Sequence, residues 1–294
     1  MVACFGTWIP LSQSVRDARQ QSRIVYVAFG NMAVASVALG FGGAHLTWGW
    51  KALWLPLGGG VAWAAGAYAA FRAAELAGLA RAAGTWTPLN IVTAFVLGIA
   101  LFGELAGSSA THLAVLAVAL ALVLAGVLVI VGSQGAQKNA AGARSSTERR
   151  EGLAWAIAAG ILWGGYFVPA QWAGVSAQAG NFPLALGILA GAVAMAAATR
   201  SPLAAGTGPG ALTRAGALLG SGVIFGVGDV VLLVLVHRLG TGVGFTLAQL
   251  SLLVNAAIGI WVFKVPPPRS RAAHVALVGI AIAGSGGLMI GALH

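Results

Sequence analysis

Residues 113–132 read LAVLAVALALVLAGVLVIVG, twenty positions without a charged, amide or hydroxyl side chain. An α-helix rises 1.5 Å per residue, so about 20 residues cross the roughly 30 Å of hydrocarbon in a bilayer. A membrane-spanning strand would instead alternate apolar and polar residues over about ten positions, whereas this stretch is apolar on every side. It is therefore expected to be a membrane-spanning helix. Segments of similar character occupy residues 24–43, 52–71, 82–103, 153–173, 182–199, 215–236, 241–263 and 275–293. A further apolar run at residues 2–12 is only half a membrane deep. It lacks the basic segment that precedes the apolar core of a signal peptide; of the two other readings, a re-entrant half-helix and a first helix truncated upstream, the internal repeat favours the truncated helix. The expected fold is all-α, a polytopic membrane protein with ten transmembrane helices.

Composition agrees. Of 294 residues 59% are apolar and 7% charged, with a mean hydropathy of +0.91, whereas soluble domains are about 25% charged. Sixteen Lys/Arg against six Asp/Glu give a formal charge of +10, a balance that on its own suggests a nucleic-acid partner. The charges, however, lie in short connections between apolar runs, where they orient a membrane protein and form no groove-binding face. The single cysteine, Cys4, excludes an internal disulfide and multi-thiolate metal sites. The five histidines form neither an i,i+4 pair nor an HExxH run, and no GxxxxGK[ST] loop is present. No metal, cofactor or ATP site is expected.

Fourteen of the sixteen basic residues fall in alternate connections, within 16–23, 72–81, 138–150, 200–214 and 264–271, while Lys51 and Arg238 occupy the others. Basic residues beside spans are retained in the cytoplasm, so this asymmetry places those five connections inside and both chain ends outside a cytoplasmic (inner) membrane.

The longest polar connection, residues 133–152, separates residues 1–132 from 153–294. Across it, Gly165-Tyr166-Phe167-Val168-Pro169 echoes Gly6-Thr7-Trp8-Ile9-Pro10, 159 positions earlier. Residues 85–102 likewise align with 246–263 at a spacing of 161, matching Thr85 to Thr246, Leu89 to Leu250, Gly98 to Gly259 and Phe102 to Phe263. Two matches in the same order point to duplication. Each half holds an odd number of spans, so the second enters the bilayer inverted, the usual build of secondary transporters with a midplane site and alternating access.

These residues resemble the drug/metabolite transporter superfamily, and within it the glucose/ribose porter and ureide permease branch. The resemblance rests on Trp163-Gly164-Gly165-Tyr166-Phe167-Val168-Pro169, on Phe225-Gly226-Val227-Gly228-Asp229 followed by Arg238-Leu239-Gly240, and on Phe245-Thr246-Leu247-Ala248-Gln249. It covers the whole chain and implies a ten-helix, 5+5 inverted-repeat carrier of a small polar solute. Two departures stand out. Members often carry an acid at the ends of spans four and nine, which Glu104 matches and Val265 does not; Asp229 stands where sugar-type members tend to carry an amide.

Asp229 is the only charged residue inside the expected spans. A carboxylate at mid-helix in lipid costs about 3 kcal/mol by insertion scales, so it must be protonated, partnered or facing a wet cavity. It is expected to bind substrate or carry a coupling proton; a neutral acid bonding a neighbouring helix is the plainer alternative. Pro10, Pro88 and Pro169 each remove a backbone donor within a span and are candidate hinges, with simple packing kinks as the alternative. Near them lie Trp8, Trp63, Trp86, Trp163 and Tyr166, whose rings can stack on a sugar or a drug, whereas Trp48, Trp50 and Trp54 read as interface anchors. Asn90, Gln249 and Thr246 complete the candidate lining, Thr246 and Gln249 sharing one helix face.

The expected function is secondary transport of a small polar metabolite, sugar-like or ureide-like, driven by a cation gradient of protons or sodium ions. The partners are that solute and the lipid bilayer, with no nucleic acid. An exporter of amino acids or amphipathic drugs is the second reading, and a scaffold or lipid scramblase the third. An intramembrane serine protease using Ser221 or Ser285 is disfavoured, because neither serine has the GxSxG spacing.

Overall fold

With no water to satisfy peptide groups, a chain of this composition folds as helices whose backbone bonds are internal. The computed structural model describes residues 1–15, 18–41, 49–77, 79–135, 146–201, 203, 210–264 and 266–293. Arg16, Trp48, Lys138, Arg144 and Val265, on which parts of the sequence reading rest, lie outside the described residues. The described elements are α1 (Val2–Ser14), α2 (Gln20–Phe41), α3 (Trp50–Ala77), α4 (Leu79–Phe102), α5 (Ala110–Gly135), α6 (Ser146–Gly165), α7 (Val168–Trp172), α8 (Ala177–Ala198), α9 (Ala211–Leu239), α10 (Thr241–Gln249), α11 (Ser251–Trp261) and α12 (Arg271–Ala292). No strand occurs among the described residues.

Eight segments among the described residues are long and apolar enough to cross a membrane, and each overlies an expected span. The span expected at 52–71 lies within α3, which is 28 residues long. Its tryptophans, glycines and Pro56 dilute its aliphatic content, and α3 is not one of the eight. Helix α1 has 13 residues, too few to cross. At the start of α3, Trp50 and Trp54 are 73% and 49% exposed with ring centroids 5.5 Å apart, as expected of interface anchors.

Two spans are broken. The helix from Ser146 stops at Gly165, and after Tyr166 and Phe167 the short α7 restarts at Val168. Pro169 therefore does not interrupt a running ladder, as the sequence suggests. It sits in the first turn of α7, where an N–H has no intrahelical acceptor to lose. The second break separates α10 from α11 at Leu250, whose N–H turns to the carbonyl of Leu247 at 3.3 Å in a tighter i−3 bond. Pro10 and Pro88 lie inside α1 and α4.

The chain forms two compact units, each drawing on both sequence halves. Beyond the first two residues, one unit holds residues 3–68 and 165–238, and the other holds 69–164 and everything from Leu239 onward. In the first unit α2 runs along α8, and it meets α9 at glycines: a Cβ on Gly222 would strike the backbone of Val27 and Gly30. In the second unit α5 runs along α12, and a Cβ on Gly279 would meet the backbone of Gly126 and Ile130. Gly222 and Gly226 on α9, and Gly279 and Ala283 on α12, each pair four residues apart on one helix face, thus sit at helix crossings. Lipid tails are as apolar as leucine, so helices associate through this close packing and not through burial from water.

Candidate functional site

Helix α9 carries Ser221, Phe225 and Asp229 at i, i+4 and i+8, one stripe down a single face, and all three are buried. The stripe meets α1, α3 and the break after α6 through residues of the first unit. At its lower end Ser221 Oγ donates to the carbonyl of Trp8 at 2.7 Å. In the middle, the Phe225 ring centroid lies 5.1 Å from Trp8 and 5.1 Å from Trp63, while Trp8 and Trp63 are 6.5 Å apart. Phe5 adds a fourth ring, 5.7 Å from Phe225. These tilted contacts form an aromatic box in the range where edge and face electrostatics favour one another.

At the upper end, Asp229 Oδ1 accepts the hydroxyl hydrogen of Tyr166 at 2.7 Å, and its other oxygen, Oδ2, has no partner among the described residues. Both side chains are buried. The break places Tyr166 here: the chain has left α6, and α3 approaches so closely that a Cβ on Gly59 would collide with the Tyr166 carbonyl. Tyr166 also sets its ring edge-on to Phe167, 5.4 Å away.

Trp86, Pro88, Asn90, Trp163, Thr246 and Gln249 belong to the second unit. On α4, Trp86, Pro88 and Asn90 lie within one and a half turns. Trp86 meets Trp163 edge-on at 5.8 Å. The Asn90 amide, oriented with its nitrogen toward them, donates to the carbonyls of Gly160 at 2.8 Å and Trp86 at 3.0 Å. Thr246 turns its hydroxyl back to the Gly242 carbonyl at 2.8 Å, and Gln249 is the half-buried last residue of α10. Glu104, in the turn after α4, accepts from the backbone N–H groups of Thr241 and Gly242, the latter at 3.0 Å, and so caps the start of α10. Arg72 pairs with Glu75 at 2.9 Å and lies 3.9 Å from Glu151, an exposed set of small energetic worth.

The candidate residues therefore divide. Asp229, Tyr166, Trp8, Trp63, Pro10 and Pro169 belong to the first unit, and Trp163, Trp86, Asn90, Pro88, Thr246 and Gln249 to the second. Within the first unit Asp229, Tyr166, Trp8 and Trp63 converge on the α9 stripe. Phe225, the ring joining them, is absent from the sequence-derived candidates although its i,i+4 spacing to Asp229 marks it. The serines considered as nucleophiles are both bonded to backbone carbonyls, Ser221 to Trp8 and Ser285 to Ile282. An aromatic wall beside a carboxylate with one free oxygen suits a solute with an apolar face and hydroxyl groups.

A search of curated proteins finds no match to this chain. Among solved structures, one crystal structure of a protein is similar over all of this chain and 96% of its own, with 20% sequence identity and a TM-score of 0.67, a likeness in fold alone. The family model for sugar transport protein matches residues 2–293. With nearly every residue inside that match, the chain belongs to the sugar transport protein family.

Proposed function

We propose that this protein is a secondary carrier that moves a small neutral sugar across the cytoplasmic membrane by alternating access, coupled to a cation gradient through Asp229. The observation that carries the reading is the α9 stripe. An acid that needs a reason to be in a membrane interior stands one turn from an aromatic box, joined to a tyrosine at a helix break. The rings stack on the apolar face of a pyranose, and the carboxyl accepts hydroxyl hydrogens. A proton gained and lost by Asp229 links its hydrogen bonding to the change of access.

The architecture proposed is ten spans in two inverted repeats, residues 1–132 and 153–294 joined by the cytoplasmic linker 133–152, within the glucose/ribose porter branch of the drug/metabolite transporter superfamily. Two local features support the duplication. Gly103, the residue after α4, and Lys264, three residues past the end of α11, are 161 positions apart and both adopt the left-handed region, with φ of 64° and 55°. Pro88, inside α4, stands 161 positions before Gln249, the last residue ahead of the break at Leu250. The basic connections are cytoplasmic and both ends external.

Reconstituted protein loaded with unlabelled D-glucose or D-ribose and presented with the labelled sugar should show transient counterflow. Counterflow with amino acids or amphipathic drugs, and none with sugars, would instead establish the exporter reading.

A further inference from the structure

Two carboxamides in the first unit are fully buried and make no hydrogen bond: both polar atoms of Asn31 on α2 and both of Asn181 on α8 lack a partner among the described residues. Asp229 Oδ2 also lacks a partner, although Oδ1 accepts from Tyr166, and so does Arg23 Nε, whose Nη2 donates to the carbonyls of Val15 and Ala18. Buried polar atoms are nearly always paired, so two amides in one unit with every side-chain polar atom unpaired call for an explanation.

Their placement is connected. Asn31 lies against α9 at Gly226, where a Cβ would come within 2.9 Å of its Oδ1, and Gly226 is one turn before Asp229. Asp229 bonds Tyr166; the Tyr166 carbonyl abuts Gly59 of α3, where a Cβ would also meet Leu184 Cδ1 at 3.3 Å. Leu184 is one turn beyond Asn181 on α8, the helix along which α2 runs. The path from Asn31 through Asp229 and Tyr166 to Asn181 stays inside one unit.

Donor and acceptor chemistry selects the ligand. Each amide offers two N–H donors and one carbonyl acceptor, and Asp229 Oδ2 adds an acceptor. A bare cation would leave the N–H groups unmet; an anion would leave the carbonyls unmet and face the acid. Hydroxyl groups both donate and accept. We infer that Asn31 and Asn181, with Asp229, are the residues that read the hydroxyl pattern of a neutral polyhydroxylated solute, engaging it once the helices of this unit part to admit it. This rests on the sugar-carrier reading and names the residues that would give it specificity.

The test is equilibrium binding by calorimetry to the purified full chain, in a polyoxyethylene detergent without a sugar headgroup. The probes are D-glucose, D-ribose, choline and lactate. The wild type should bind at least one sugar. Asn31→Leu and Asn181→Leu, close in size to asparagine, should each weaken that binding on the order of tenfold. Their unfolding midpoints without sugar should stay level or rise, because an unpaired buried amide has been replaced by an apolar group of similar shape. Where a leucine variant does not fold, Asn31→Ser or Asn181→Ser should show the same loss. Unchanged sugar affinity in these variants overturns the assignment and leaves the carrier reading standing. A wild type that binds only choline or lactate, or none of the probes, overturns both.

Discussion

Tyr166 donates its hydroxyl hydrogen to Asp229 Oδ1 at 2.7 Å, tying the break between α6 and α7 to the middle of α9. The chain passes from one compact unit to the other between Gly164 and Gly165, so this bond forms within two residues of the crossing.

Tyr166→Phe keeps the ring and removes only the hydroxyl. A hydrogen bond to a charged group is worth about 1.5–3 kcal/mol, so sugar uptake should fall roughly 10- to 100-fold with little change in expression. Initial uptake rates in proteoliposomes check this, and wild-type rates would show that the bond is dispensable.

Phe225→Ala opens the aromatic box. Two ring contacts at 5.1 Å are lost, each worth about 0.5–1.5 kcal/mol beyond area. The KM for the transported sugar should rise on the order of tenfold, and Phe225→Trp should restore much of it. Concentration dependence of uptake is the measurement.

The glycines differ in what a side chain would meet. Gly222→Ala drives a Cβ into the backbone of Val27 and Gly30, whereas at Gly58 and Gly216 nothing lies within 4 Å. Overpacking of this kind costs about 1–3 kcal/mol. Gly58→Ala and Gly216→Ala, in helix interiors, should be neutral or stabilising by up to about 1 kcal/mol. Thermal unfolding of the three variants should separate them in that order.

Much of this was legible in advance, for reasons particular residues make plain. Apolar runs such as 113–132 announce their helices because lipid permits little else, and Asp229 stands out because charge there is so costly. The breaks were only partly legible. Pro169 pointed to the first and misplaced it by a few residues, because proline is tolerated in a first turn as well as disruptive in an interior. At Leu250 no proline or glycine signals the second. The division of the candidates between units was also out of reach, since Trp163 and Tyr166 are three residues apart and belong to different units. Asn181 was hidden for another reason: an asparagine near a helix start reads as an end feature, and only its burial without a partner singles it out.

Glu104 illustrates a role visible only in three dimensions. Its two oxygens cap α10 from a turn 137 residues away in sequence from Thr241. Glu104→Ala should lower stability by about 0.5–2 kcal/mol, and Glu104→Gln, which keeps one acceptor, by less. Unfolding midpoints of the two variants decide the ranking.

The most direct test of the account is proton movement during sugar uptake, followed with a pH-sensitive dye trapped in proteoliposomes, for the wild type and Asp229→Asn. The wild type should change internal pH when sugar is added; Asp229→Asn should exchange sugar across the membrane without that change. An Asp229→Asn protein that still moves protons with sugar would contradict the role given to this carboxyl.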